Sequence, residues 1–223
     1  MRVTLLSYTK DAERLCASAA HSCYSDKPAS ELMDDWDEKK GQRWLGNPLA
    51  SGHHSVIEHA SFTFSIEGAS RALTHQLVRH RLASFSQQSQ RYVSMENADY
   101  VLPDSIARDE EAARRFRELM EHIWEEYRFL SERVPKEDAR YVLPNACTTN
   151  ITVTMNAREL WHFFELRCCN RAQWELRAVA DEMLCLAREA SPLIFSKAGP
   201  PCVSRGRCPE GKMTCGRPRT ELR

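Results

Sequence analysis

The spacing of hydrophobic positions changes several times along the chain, and each change predicts an element. Residues 2–8, RVTLLSY, read as a first strand, and residues 11–23 as a short helix with Leu15, Ala19 and Ala20 on one side. Residues 30–45 read as a polar helix ended by Gly46, Asn47 and Pro48, because glycine and asparagine suit a C-cap and proline cannot continue the hydrogen-bond ladder. In SFTFSIE, Phe62, Phe64 and Ile66 alternate with Ser61, Thr63, Ser65 and Glu67, the period of a half-buried strand. Beyond Gly68 the spacing turns helical, with Leu73, Leu77 and Val78 apolar. The clearest amphipathic helix is 109–134, where Phe116, Leu119, Met120, Ile123, Trp124, Tyr127 and Leu130 recur at helical spacing. Its acidic start suits the helix dipole and Pro135 stops it. ITVTM, 151–155, alternates as another strand, and Asn156 with Glu159 has the spacing of a capping box. The helix so opened carries Leu160, Phe163, Phe164 and Arg167, and a further one over about 171–190 holds Trp174, Leu176, Val179, Ala180, Met183 and Leu184.

These elements fit one domain over 1–195, followed by a basic tail, 196–223, in which seven basic residues face two acidic ones. A chain of 223 residues is long enough for one substantial core. Its 31 basic and 31 acidic residues cancel, so no global field draws it to nucleic acid or to an anionic membrane, and any anion recognition must be local. No apolar run approaches the roughly 20 residues of a membrane span, and VTLL is far short of a secretory core. The expectation is a soluble, cytoplasmic protein. Nine cysteines, an odd number, suit a reducing compartment. Cys16, Cys23, Cys147, Cys168, Cys169 and Cys185 are expected as small core residues, and Cys202, Cys208 and Cys215 as free thiols of the tail.

The chemistry concentrates in RHRLASFSQQSQRY, 79–92. Arg79, His80 and Arg81 are followed by three serines, three glutamines, Arg91 and Tyr92, and no Asp or Glu occurs between Gly68 and Met95. A solvated helix end is one reading of such a run. An anion-facing helix end running into a loop of Ser and Gln donors is the other, since the guanidinium fork suits phosphate and carbonyl oxygens.

Arg79-His80-Arg81, seven intervening residues, then Ser89 and Arg91-Tyr92 resembles the signature of the flavin-dependent thymidylate synthases. GHHSVIEHASFTF, TMNAREL and AQWELR resemble further blocks of that family, in its order, across most of residues 50–190. The resemblance implies an α+β fold, mainly an antiparallel sheet packed with long helices, in a single domain assembling into a homotetramer whose active sites draw on several chains. It implies FAD as cofactor, with deoxyuridylate (dUMP), 5,10-methylenetetrahydrofolate and a reduced nicotinamide, taken as NADPH, as substrates. Arg79, His80 and Arg81 would hold the flavin, together with Ser55, Glu58, Gln87, Glu165, Arg167 and Arg171, and His53 would lie near the flavin ring. Gln76, Arg79, Gln87, Ser89, Gln90 and Arg91 would bind the nucleotide. Arg177 would contact the uracil ring, where a fixed guanidinium stabilises developing negative charge. Two positions depart from the family pattern: Asn150 stands where some members have a phosphate-binding arginine, and Gln87 where the family has a glutamate.

Other classes make different demands. His53, His54, Glu58 and His59 suggest a metal-dependent hydrolase, but their spacing fits neither H-E-x-x-H nor its inverse. Cys202, Cys208 and Cys215 lack the C-x2-C knuckles of a zinc site. No G-x-G-x-x-G occurs. A nucleic-acid-binding module built on the basic tail sits poorly with the zero net charge.

Overall fold

Short alternating segments give four strands in the computed structural model, which describes residues 1–220: β1 (Arg2–Tyr8), β2 (Ser61–Ser70), β3 (Ala83–Gln87) and β4 (Thr148–Asn156). They form one antiparallel sheet in the order β1-β2-β4-β3. Alternation predicts the buried faces correctly, for Phe62, Phe64 and Ile66 of β2 and Ile151, Val153 and Met155 of β4 are all buried. The strand β3 replaces the loop expected after the Arg-His-Arg triplet. ASFSQ is too short and polar to signal a strand, and it is the sheet edge that captures it, with Gln88 N–H continuing the pairing to Asn150 O at 2.9 Å.

Among the described residues, six α-helices run for six residues or more: α1 (Ala12–Ser22), α2 (Ala29–Asp34), α3 (Arg71–Leu77), α4 (Glu110–Ser131), α5 (Ala157–Arg167) and α6 (Trp174–Ala190). Four of them open on a side-chain cap, the one at Asn156 being predicted by the sequence pattern. Ser70, Asp109 and Asn156 accept the N–H of Leu73, Ala112 and Glu159 respectively.

The predicted 30–45 helix fails in two ways: it is interrupted at 35–37, between Ala29–Asp34 and Glu38–Gly41, and it does not end where expected. The chain stays helical through Gly46 (φ −59°, ψ −44°) and Asn47 (φ −67°, ψ −47°) to Ala50. A π-turn over Gln42–Gly46 lets Asn47 N–H reach Gln42 O, and Pro48 then falls at the start of the next turn, where its missing N–H is tolerated. Val78 and Leu119, read as apolar-face residues, are exposed, and so is Cys23, while Cys169 and Cys185 are only half-buried. Cys16, Cys147 and Cys168 are buried as expected.

The chain forms two compact units: Met1–Arg2, Ile66–Arg79 and Ser86–Ile151 in the first; Val3–Ser65, His80–Phe85 and the residues from Thr152 onward in the second. In the first, Met120, Trp124 and Tyr127 of α4 pack with Met95, Ala139 and Cys147. Two polar clips fix the 95–100 loop on that core: Trp124 Nε1 donates to Met95 O at 2.9 Å, and Met95 N–H donates to the Tyr127 hydroxyl at 3.2 Å. In the second, Phe195 meets Phe62 and Phe164 edge-on, and Phe163 packs against Phe164. No helix of the described residues is long and apolar enough to cross a membrane.

Candidate functional site

The second unit organises its polar chemistry along one face of α5. Glu159, Phe163 and Arg167 follow at intervals of four, so all three project from the same side of the helix. All three meet His80. Its Nδ1 stands 3.1 Å from Glu159 Oε1, Arg167 Nε donates to its Nε2 at 3.0 Å, and Phe163 lies edge-on at 4.9 Å between ring centroids. Because Nε2 accepts from a guanidinium, the remaining proton sits on Nδ1 and is donated to the carboxylate. Protonating Nε2 as well would oppose two donors. The imidazole, 4% exposed, is therefore neutral, and burial, then the charges of Arg167 and His162, push its pKa down to about 4. Burial conversely pushes the Glu159 carboxyl up.

The predicted capping box is thus half-made. Asn156 Oδ1 accepts Glu159 N–H at 2.9 Å, but the Glu159 carboxylate turns to His80. Sequence reading assigned Glu159 only to the cap. The spacing of four from Glu159 through Phe163 to Arg167 was the available signal for its second role.

Around this chain lies a cleft of about 850 Å³ whose walls include His54, Glu58, Arg158, His162 and Glu165. His54 leans on Trp161 at 4.7 Å, and Glu58 pairs with Arg158. Burial lowers the His54 pKa. His53, Ser55 and His59 are exposed beside it in sequence. The four residues of the proposed metal cluster do not converge, and no group of three or more His, Cys, Asp or Glu among the described residues is placed to hold a metal.

A second cleft, of about 610 Å³, lies between the end of α5 and the tail. The tail engages residues predicted for the flavin: Arg205 pairs with Glu165 at 2.6 Å, and Glu210 pairs with Arg171. Asn170 Nδ2 donates to Arg217 O at 2.7 Å, and Arg219 binds Asp181 at 2.7 Å. Nothing in the tail's composition announced these partners. Arg177, on the first turn of α6, donates to Asn170 O at 2.9 Å and forms no ion pair among the described residues. Arg79 and Arg81, both exposed on either side of buried His80, likewise lack a carboxylate partner there.

The first unit holds most residues predicted for the nucleotide. Gln87 Nε2 donates to Thr74 Oγ1 at 3.1 Å and reaches Thr149 Oγ1 at 3.5 Å, which fixes the amide and leaves its oxygen available. Ser89 Oγ accepts Arg91 N–H at 3.2 Å, and Gln90 Nε2 lies 3.9 Å from Cys147 Sγ. Arg91 is bound to Glu137 at 2.9 Å, and Gln76 is half-buried. Asn150 accepts Gly68 N–H at 3.1 Å. Gly68, at φ 69°, holds a left-handed conformation inside β2 that a side chain would strain.

Comparison with known proteins agrees with the resemblance. A family profile described as "Thymidylate synthase complementing protein" matches residues 4–193. The chain is similar to proteins named flavin-dependent thymidylate synthase from Geobacter sulfurreducens (51% identical over 220 residues, 97% of this chain and 94% of that one) and Clostridium tetani (47% over 234 residues, 97% and 94%). Likeness extends to the archaeal protein of that name from Pyrococcus abyssi, at 44% over 222 residues, 96% of this chain and 91% of the relative. With the profile covering most of its length and relatives matched nearly end to end, this chain belongs to the flavin-dependent thymidylate synthase family.

Proposed function

We propose that this chain converts dUMP to thymidylate, using FAD, 5,10-methylenetetrahydrofolate and NADPH, as a homotetramer whose active sites draw on several copies. The observation that carries this reading is the near end-to-end likeness to relatives of that name. The residues present suit the cofactor: Arg79 and Arg81 are exposed guanidiniums without carboxylate partners among the described residues, as a diphosphate requires. When bound, the reduced flavin supplies the hydride that completes the methyl group, with the carbon from the folate and the electrons from the nicotinamide.

The protein's own part is binding and charge stabilisation. His80, with both ring nitrogens engaged, acts as a positioning residue that sets the backbone from which Arg79 and Arg81 project. Glu58, Ser55, Glu165, Arg167 and Arg171 complete the cofactor side, with His53 near the ring. Gln76, Arg79, Gln87, Ser89, Gln90 and Arg91 hold the nucleotide. Arg177 meets the uracil, where its guanidinium, without an ion pair among the described residues, stabilises charge on the ring. The test is direct. Protein loaded with FAD should show flavin absorbance and release tritium from uracil-5-tritiated dUMP when given NADPH and methylenetetrahydrofolate. Absence of flavin binding under all conditions tried overturns the reading.

A further inference from the structure

The tail lies beyond the family match, which ends at residue 193, yet it is tied to the helix that carries Arg177. Arg219 Nη1 meets both carboxylate oxygens of Asp181, at 2.7 and 2.9 Å, and Cys168 O at 2.8 Å. Its side chain is 18% exposed and that of Asp181 25%, so among the described residues this is the most enclosed ion pair the tail makes. Asp181 also bonds the Cys168 thiol, which is pushed up by burial and then by that carboxylate. A second tie runs through Asn170, in the turn between α5 and α6. Its Nδ2 donates to Arg217 O at 2.7 Å, and its own carbonyl accepts Arg177 Nη1 at 2.9 Å.

Asp181 stands four positions after Arg177 on α6, so the two side chains share a face one turn apart, within reach of an ion pair. No other acidic residue of the helix has that relation to Arg177, since positions 173, 174 and 180 are Gln, Trp and Ala. Among the described residues no such pair forms: Asp181 faces Arg219, and Arg177 bonds the neutral Asn170 carbonyl. A free carboxylate at that position would draw the Arg177 guanidinium to itself and cancel the charge offered to the uracil. Arg219 prevents this with two contacts to the carboxylate and a third to Cys168 O, in surroundings dry enough to strengthen a charge-assisted bond.

We propose that Arg219 of the tail is a positioning residue for Arg177: by holding Asp181, it keeps the Arg177 guanidinium unpaired and turned to the Asn170 carbonyl. This rests on the function proposed above and on the place given there to Arg177. It gives the tail, which the family match does not cover, a part in the reaction without contact with substrate.

The experiment uses the full-length, FAD-loaded protein and follows tritium release from dUMP. Arg219→Gln should lower kcat/KM by roughly 3- to 10-fold, the weight of a partly buried ion pair competing for one guanidinium. Adding Asp181→Asn, which removes the competing charge, should restore the rate to within about 2-fold of the wild type. Arg219→Lys, shorter but still charged, should lose less than Arg219→Gln. In an Arg177→Ala background Arg219→Gln should change nothing further, because its effect passes through Arg177. A loss that persists in that background, or that Asp181→Asn fails to relieve, overturns the proposal, as does an unchanged kcat/KM in Arg219→Gln. Flavin absorbance should stay at the wild-type level, and a flavin loss as large as the rate loss overturns it as well. Melting curves report folding. Should Arg219→Gln not fold, Arg219→Lys in the two backgrounds decides: a loss confined to the protein that retains Arg177 is expected, and no loss, or one equal in both, overturns the proposal. A wild type without flavin binding or tritium release instead sinks the proposed function itself.

Discussion

Glu159, His80 and Arg167 in the second unit, and Arg71 in the first, both place ionisable groups in partly dry surroundings, but they satisfy them differently. In the first set each hydrogen-bonding group of the imidazole has a partner from the chain, at 3.0 and 3.1 Å. In the second, the Arg71 guanidinium keeps an enclosed Nε without an acceptor among the described residues. A closed set works as structure and holds a backbone still. An open one leaves a donor unmatched. Disturbing the closed set should therefore register in stability, and disturbing open cations should register in substrate kinetics.

Arg177 gives the largest expected effect on the open side. Arg177→Ala should lower kcat by roughly 10²- to 10³-fold, as removal of a fixed charge-stabilising donor does, while the melting temperature stays within error. Tritium release and calorimetry on the same preparation check both halves, and a stability loss large enough to explain the lost activity would break the contrast.

The closed side makes a pH prediction. His80 titrates near 4 in the folded protein against an ordinary 6.5, so as pH falls the unfolded chain takes up this proton first. Stability from this group is then complete above about pH 6.5 and declines towards pH 4, by roughly 3 kcal/mol. Glu159, pushed up by burial, works the other way, since the folded chain protonates it earlier, and it flattens the net slope. His80→Gln keeps a donor and an acceptor without the titration, so urea melts between pH 4 and 7 should lose the His80 contribution. Identical pH slopes in the two proteins would show that the imidazole is not held neutral.

Glu159→Ala is expected to be smaller, about 1–3 kcal/mol of stability, because it leaves Nδ1–H buried without an acceptor. Denaturant unfolding measures it, and flavin affinity should fall with it. The smallest effect belongs to Glu137→Gln. That surface pair with Arg91 should contribute less than about 0.5 kcal/mol, and removing it should leave the melting curve in place while altering the salt dependence of dUMP binding.

Much of the fold was legible because its signals are local. Phe62, Phe64 and Ile66 alternate, Met120, Trp124 and Tyr127 recur at helical spacing, and Asn156 caps the helix that follows it. The failures were equally physical. Gly46-Asn47-Pro48 looks like a helix end, but a π-turn admits it, and β3 forms because a neighbouring strand offers backbone partners that no side-chain pattern encodes.

The sequence by itself determined the family, the candidate residues and the elements with a clear apolar period, since these depend on residue type and spacing along the chain. Only the tertiary structure decided which charges are already satisfied. It bound His80 to Glu159 and Arg167, brought Arg205 and Glu210 of the tail onto Glu165 and Arg171, and left Arg71 without an acceptor at Nε among the described residues. Those partners lie 39 to 87 positions apart in the chain. Electrostatic pairing depends on distance in space and on burial, neither of which a one-dimensional pattern carries.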